Sequence, residues 1–226
     1  MEREEIFSRV QAIKAEIASG NPLGEPVTLV AATKMQTPQS INAAIEAGVD
    51  AVAENKVQEF REKNALVQPC PRHFIGHLQT NKVKYLVGEI GLFHSCDRDE
   101  LAAELSRLSV KHGVVSEILI QVNIGREASK GGYAPEFAEE AFCRLREMPG
   151  LKVRGFMAML PDSDDQALLG GLADEMRALY EEAKRSDPEI SFLSMGMSGD
   201  YRLCIAHGSN MIRLGSTIFG AREYSR

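Results

Sequence analysis

Short apolar runs alternate with stretches of helical period along the whole chain. The runs fall at Val27–Ala32, Val49–Ala53, His73–Ile75, Leu92–Ser95, Ile118–Val122, Val153–Met157, Phe192–Ser194 and Met211–Leu214. Each has the length and bounding turn residues of a strand. Between them, Pro38–Ala47, Arg98–His112, Pro135–Met148 and Gln166–Arg185 carry apolar residues at helical spacing. Ile6, Val10, Ile13 and Ile17 recur at the same spacing before the first strand, which predicts an extra leading helix.

The punctuation agrees with this periodicity. Pro38 and Pro135 stand where helices should start, and Gly48 and Gly113 where they should stop. Asp97, Ser163 and Ser198 have the side chains of N-caps. Strands alternating with helices imply a parallel sheet. Eight strands in 226 residues leave about 28 residues per unit, near the lower end for a (β/α)8 TIM barrel. An open doubly wound sheet would want a G-x-G-x-x-G turn after its first strand, but the first strand here runs into Ala32-Thr33-Lys34-Met35. The expected fold is therefore α/β: a single (β/α)8 barrel with an extra N-terminal helix. No linker divides it, so residues 1–226 are expected to form one domain.

Composition narrows the function. Lys+Arg 26 against Asp+Glu 32 leaves a net charge of −6, and no run of clustered basic residues with interleaved aromatics occurs. A general nucleic-acid binder is not expected. Cys70, Cys96, Cys143 and Cys204 form no C-x-x-C pair, which removes a zinc ribbon and a thioredoxin-like site. The charged, amphipathic N-terminus has no signal-peptide core, and no apolar run approaches the ~18 residues of a membrane span. A cytoplasmic, reduced protein is expected, without membrane or nucleic-acid partners.

In a barrel of this type the chemistry sits at the C-terminal ends of the strands. Lys34 directly follows the first apolar run. It is either a surface lysine opening a loop or an amine held at the barrel mouth, where partial desolvation favours the neutral form that makes Schiff bases. Glu54-Asn55-Lys56, Gly76-His77-Leu78-Gln79 and Asn123-Ile124-Gly125 end other strands with polar residues, which cap chemistry would also explain. The seventh strand runs into Ser194-Met195-Gly196-Met197-Ser198-Gly199-Asp200, and the eighth into Arg213-Leu214-Gly215-Ser216-Thr217. Two small-residue loops in these slots, each opening a helix, suit a phosphate group through backbone N–H groups, hydroxyls and helix dipoles. The loop Gly125–Gly132 reads as a flap at the mouth or as a plain solvated loop. His73 and His77 lack carboxylates or cysteines at metal-ligand spacing, so no metal is expected.

These residues together resemble the pyridoxal phosphate homeostasis protein family, also called the YggS family. The resemblance is carried by Ala32-Thr-Lys34, Glu54-Asn-Lys-Val-Gln-Glu59, His73-Phe-Ile-Gly-His-Leu-Gln79, Arg154-Gly-Phe-Met-Ala158, Leu193-Ser-Met-Gly-Met-Ser198, Ile212-Arg-Leu-Gly-Ser216 and Ile218-Phe-Gly-Ala-Arg-Glu-Tyr224. It implies an alanine-racemase-type barrel carrying pyridoxal 5′-phosphate (PLP) and serving intracellular vitamin B6 homeostasis without an established reaction. By position, Lys34 matches the lysine that holds PLP as a Schiff base, and Asn55 the asparagine beside the cofactor. Ser198, Gly215 and Ser216 match the phosphate cradle, and Arg213 the arginine at the pyridine nitrogen. Ala53 stands where the family often has glycine and Ser216 where threonine is common; both keep the small size, and serine keeps the hydroxyl. His77 receives no role.

Two function classes are compatible with these residues. One is a PLP carrier, a monomer that buffers the cofactor or delivers it to apo-enzymes, with Lys130 as a secondary or transfer site. The other is a PLP-dependent racemase or decarboxylase. Racemases with this barrel resemble one another in having a second, β-rich domain, and only a short segment follows the eighth strand here, which favours the carrier. A lysine Schiff-base aldolase acting on a sugar phosphate is a third reading, and it would be colourless at rest.

Overall fold

The computed structural model describes residues 3–220. Eight parallel strands close into a barrel in chain order, with the first strand paired to both the second and the last. They are β1 (Thr28–Ala32), β2 (Ala51–Glu54), β3 (Arg72–Phe74), β4 (Leu92–Cys96), β5 (Ser116–Val122), β6 (Leu151–Ala158), β7 (Phe192–Ser194) and β8 (Met211–Leu214). Around them run α1 (Arg3–Glu16), α2 (Pro38–Glu46), α3 (Val57–Lys63), α4 (Asp99–His112), α5 (Ala138–Leu145), α6 (Gln166–Ser186), α7 (Tyr201–Ala206) and α8 (Ser216–Phe219). Among the described residues no helix is long and apolar enough to cross a membrane.

The chain buries its apolar residues in two layers. Outside the barrel, helix faces pack on strands: Leu169, Ala173, Met176, Tyr180 and Ala183 of α6 recur at helical spacing and all are buried. Burying each large side chain contributes about 1.5–3 kcal/mol. The leading helix α1 packs against α2 and α8, burying Ile6, Val10 and Ile13. Inside the barrel a smaller cluster of Val30, Ala51, Ala53, Leu92, Leu119, Met157 and Met211 fills the lower end. Strand side chains alternate at a period of two. The next inward positions above this plug are therefore Ala32, Asn55, His94, Met159 and Arg213, and after them Lys34 and Gly215.

Several predicted caps are corrected. The N-cap position of α4 is Arg98, not Asp97, whose carboxylate instead contacts Arg98 and accepts from His77 Nδ1 at 2.9 Å. Asp165 caps α6, accepting from Ala167 and Leu168 N–H, while Ser163 Oγ accepts from Asp165 N–H. Ser198 does not cap α7, whose N-cap position is Asp200; its Oγ instead accepts from Thr217 N–H in the first turn of α8. The stretch from Pro135 opens as a 3-10 turn to Phe137, and α5 begins only at Ala138. The expected start of α2 holds, with Thr37 accepting from Ser40 N–H ahead of Pro38. Gly113 ends α4 in the left-handed conformation a C-terminal glycine supplies. Residues 221–224 of the family-like ending lie outside the described residues.

Candidate functional site

Lys34 leaves the barrel two residues past Ala32 and is aimed by its chain neighbours on either side. Met35 adopts φ 63°, a left-handed conformation that costs a non-glycine residue about 1–2 kcal/mol. Its N–H donates to Glu59 Oε2 at 2.7 Å, and Glu59 is paired with Lys63. Lys63 Nζ also reaches Glu54 Oε1 at 3.0 Å and the Thr33 carbonyl at 3.2 Å. This network outside the barrel clamps Thr33 and Met35, so the lysine between them projects over the mouth. Lys34 itself is half-buried and has no carboxylate within 4.0 Å among the described residues.

Asn55 is held in place by a close crossing. A Cβ at Gly76 would lie 2.0 Å from the Asn55 carbonyl oxygen, so only glycine lets the loop after β3 pass there. On the far side, the loops after β7 and β8 are fastened together. Arg213 N–H donates to the Gly196 carbonyl at 2.9 Å, and Thr217 N–H donates to Ser198 Oγ at 3.2 Å. Because Ser198 Oγ accepts from Thr217, its own hydroxyl hydrogen is free for a ligand. Ser216 opens α8, where Thr217 N–H goes to Ser198 and the Ile218 and Phe219 N–H groups to the Gly215 carbonyl, which leaves the Ser216 N–H and hydroxyl to face a ligand. The helices here are short, six residues in α7 and four in α8. The sustained dipole expected from the sequence is accordingly replaced by local N–H groups and hydroxyls.

Arg213 is buried beneath the mouth with no carboxylate partner among the described residues. Its Nη1 donates to Ser194 Oγ at 2.6 Å and to the Ser194 carbonyl at 2.9 Å, and its Nη2 to the Ala158 carbonyl at 3.0 Å. Burial pulls its pKa down to about 10, so the guanidinium remains charged at neutral pH. Ser194 Oγ continues to His94 Nδ1 at 3.2 Å, and His94 Nε2 to His73 Nδ1 at 3.0 Å. Burial pushes His73 down to about 4, and burial, with smaller contributions from His73 and Arg213, pushes His94 well below the usual imidazole range. The relay is neutral, leaving Arg213 as the one charge at the cavity floor. His94 and Ser194 were missed in the sequence because they lie within short apolar runs; a polar residue at an inward strand position was the available signal.

Unfolding frees both histidines to take a proton, so stability is full above pH 6.5 and falls as pH drops toward 4. For His73 alone the loss between pH 7 and pH 5 is about 2 kcal/mol. Urea unfolding should show at least this drop, and His73→Gln/His94→Gln should flatten it. An unchanged slope in that variant would assign the acid sensitivity elsewhere.

The structure brings all six sequence-derived site residues to one cavity. Lys34, Asn55, Ser198, Arg213, Gly215 and Ser216 line a space of about 340 Å³ at the barrel mouth, with Ala32, Ile75, Met157, Met159, Met197 and Gly199. That volume lies at the lower end of the range for small-molecule sites. The donors suit a phosphorylated aldehyde: one unpaired amine, two hydroxyls on fastened loops, and one buried guanidinium. Apart from Lys34 and Arg213, the described lining carries no titratable side chain. His77 and Lys130 lie elsewhere. His77 lines a groove on the other side of Asn55, and Lys130, paired with Glu127, lines a neighbouring space of about 700 Å³ that shares Met197 and Gly199.

Residues 9–223 match the family model described as alanine racemase, N-terminal domain. A pyridoxal phosphate homeostasis protein of Aquifex aeolicus is 38% identical over 199 residues, covering 87% of each chain. The protein of that name from Escherichia coli strain K12 is 35% identical over 207 residues, covering 89% of this chain and 88% of its own. Among solved structures, PipY of Synechococcus elongatus with PLP bound is 28% identical with a TM-score of 0.83, covering 95% of this chain and all of PipY. An alanine racemase of Clostridium difficile shares the fold at a TM-score of 0.80 and 12% identity, with 58% of its length covered. A barrel whose mouth gathers these residues, together with relatives matched over most of both chains, makes this chain a member of the pyridoxal phosphate homeostasis protein family.

Proposed function

We propose that this chain binds pyridoxal 5′-phosphate in the barrel-mouth cavity and serves intracellular vitamin B6 homeostasis by holding the cofactor and releasing it. The likeness to PipY, solved with PLP bound, and to relatives named for PLP homeostasis supports the cofactor. When bound, PLP supplies an aldehyde that condenses reversibly with an amine and loses water. Lys34 Nζ is that amine. Ser198 and Ser216 donate to the phosphate, Gly215 lets the backbone approach it, and Asn55 orients the ring. Arg213, a donor with no acceptor capacity, holds the pyridine nitrogen unprotonated. The whole chain acts as one cofactor-binding unit.

The composition of the cavity carries the carrier reading. An amino acid that displaced Lys34 from the aldehyde would free its amine as a base on one face only, because Arg213 is the sole other titratable group among the described lining residues and stays protonated at any working pH. Reaction on an amino acid needs a protein base at the substrate carbon, and stereochemical inversion needs proton handling on both faces. An unprotonated ring is also a weaker electron sink. The protein is accordingly a store that loads and unloads, with apo-enzymes as recipients.

The holo-protein should be yellow. Incubated with a panel of amino acids, it should show no appreciable racemase, transaminase or decarboxylase turnover, while restoring activity to a PLP-dependent apo-enzyme. Robust turnover of any amino acid, lost in Lys34→Ala, would replace the carrier by an enzyme. A colourless protein that takes up no PLP would remove the cofactor reading altogether.

A further inference from the structure

Most cations of this acidic chain are neutralised on its surface. Arg3, Arg9, Arg107, Arg144, Arg177 and Arg202 each pair with a carboxylate, as do most of the other described arginines and lysines. Lys56, Arg61, Lys82 and Lys84 do not: none has a carboxylate within 4.0 Å among the described residues, although acidic side chains outnumber basic ones. All four gather at one place. Arg61 lies 4.5 Å, Lys84 5.1 Å and Lys82 6.0 Å from the Tyr85 ring centroid. Lys56, Arg61, Lys82 and Tyr85 line a concave groove of about 310 Å³.

Two features separate this groove from an ordinary solvated basic patch. Like charges held this close repel one another, and the cation–π contacts to Tyr85 offset only part of that. The groove also shares a wall with the cofactor cavity, because Asn55 lines both. Gln79 adds an amide donor to the same lining, while Gln58 Nε2 donates to Glu62 Oε1 at 2.6 Å. Guanidinium, ammonium and amide donors converging on a small concavity match a compact dianion with several acceptor oxygens. A flexible acidic peptide would be better served by an open surface than by a concavity of this size.

We infer that this groove is a second anion site, which takes the phosphate of a small phosphomonoester beside the cofactor cavity. Arg61 and Lys82 supply the principal donors and Lys56 closes the side toward Asn55. A phosphorylated molecule held there stands one residue's width from the bound cofactor. The inference rests on the PLP reading only for the identity of that neighbour.

The test fixes the cofactor first. Holo-protein is reduced with borohydride so that the main cavity is filled irreversibly, and inorganic phosphate, pyridoxamine 5′-phosphate, adenosine monophosphate and unphosphorylated pyridoxamine are then titrated by calorimetry. Pyridoxamine 5′-phosphate has no aldehyde and cannot condense with lysine. The phosphorylated probes should bind stoichiometrically and compete with inorganic phosphate, and pyridoxamine should not bind. Arg61→Gln/Lys82→Gln should weaken them at least about tenfold, the effect of losing charged hydrogen bonds. Lys111→Gln, at an unpaired lysine on α4 that does not line the groove, should change nothing. Preference for pyridoxamine 5′-phosphate would assign the source to the B6 vitamers, and preference for the nucleotide to another phosphomonoester; either order supports the site. No binding beyond the fixed cofactor, or binding indifferent to the double variant, would overturn it. If borohydride incorporates no PLP, the cofactor reading fails on its own, and the phosphate titration of the protein as isolated still decides the groove.

Discussion

Lys34→Ala should reduce the cofactor fixed by borohydride from stoichiometric to background and abolish the visible absorbance of the bound form. Lys34 supplies the one amine among the described cavity-lining residues, so no neighbour can replace it. The substitution should leave the fold intact. Lys34 is half-buried and takes no part in the Glu54, Glu59 and Lys63 network that clamps the residues around it. Truncating a half-buried side chain outside that network costs about 1 kcal/mol or less. The thermal midpoint of the apo-protein should therefore move by no more than a few degrees. Peptide mapping of the reduced wild-type protein decides the matter. Should most of the label sit on Lys130, in the adjoining space, or on any other lysine, Lys34 is not the anchor.

Ser198→Ala combined with Ser216→Ala should separate two vitamers that differ only in phosphate. Each hydrogen bond to a charged acceptor is worth about 1.5–3 kcal/mol, so the pair should weaken PLP by about two to four powers of ten. Pyridoxal, which has no phosphate to lose, should change by only a few-fold. The structure adds a control. Ser198 Oγ also accepts from Thr217 N–H and so fastens the two loops. Ser198→Thr keeps that hydroxyl and should retain most of the affinity, whereas loss through loop disorder would weaken both vitamers together. A double variant that keeps its PLP affinity in equilibrium dialysis would place the phosphate elsewhere.

Much of this architecture was legible in the chain, for identifiable reasons. Strand positions followed from apolar runs such as Ile118–Val122, bounded by residues that cannot continue a strand. Lys34 and Arg213 were visible because charged residues at or within strand ends are conspicuous. Local satisfaction of polar groups was much less legible. Asp97, Ser163 and Ser198 all have N-cap chemistry, yet tertiary partners claimed Asp97 and Ser198, and Asp165 outcompeted Ser163 two residues on. Gly155 shows the same limit within a strand. At φ 144° it absorbs a register shift between β5 and β6, and a Cβ there would lie 1.8 Å from the Phe192 carbonyl oxygen. Nothing in the apolar pattern of that segment marks the irregularity. The basic groove is non-local in another sense. Its three lining cations, Lys56, Arg61 and Lys82, come from two separate stretches, and in the sequence each looks like an ordinary solvated side chain.

The plug of Val30, Ala51, Ala53, Leu92, Leu119, Met157 and Met211 below the cavity has a kinetic meaning. A barrel filled to that height has one doorway, so cofactor must arrive and depart through the same mouth, past the same loops after β7 and β8. A partner that sits over that mouth without touching the ligand therefore slows loading and unloading by the same factor and leaves the equilibrium where it was. A recipient that binds free PLP more tightly can empty the barrel by mass action alone, whereas one that strips it through contact with the protein must bind the emptied barrel more tightly than the filled one, with leverage no greater than that difference in affinity.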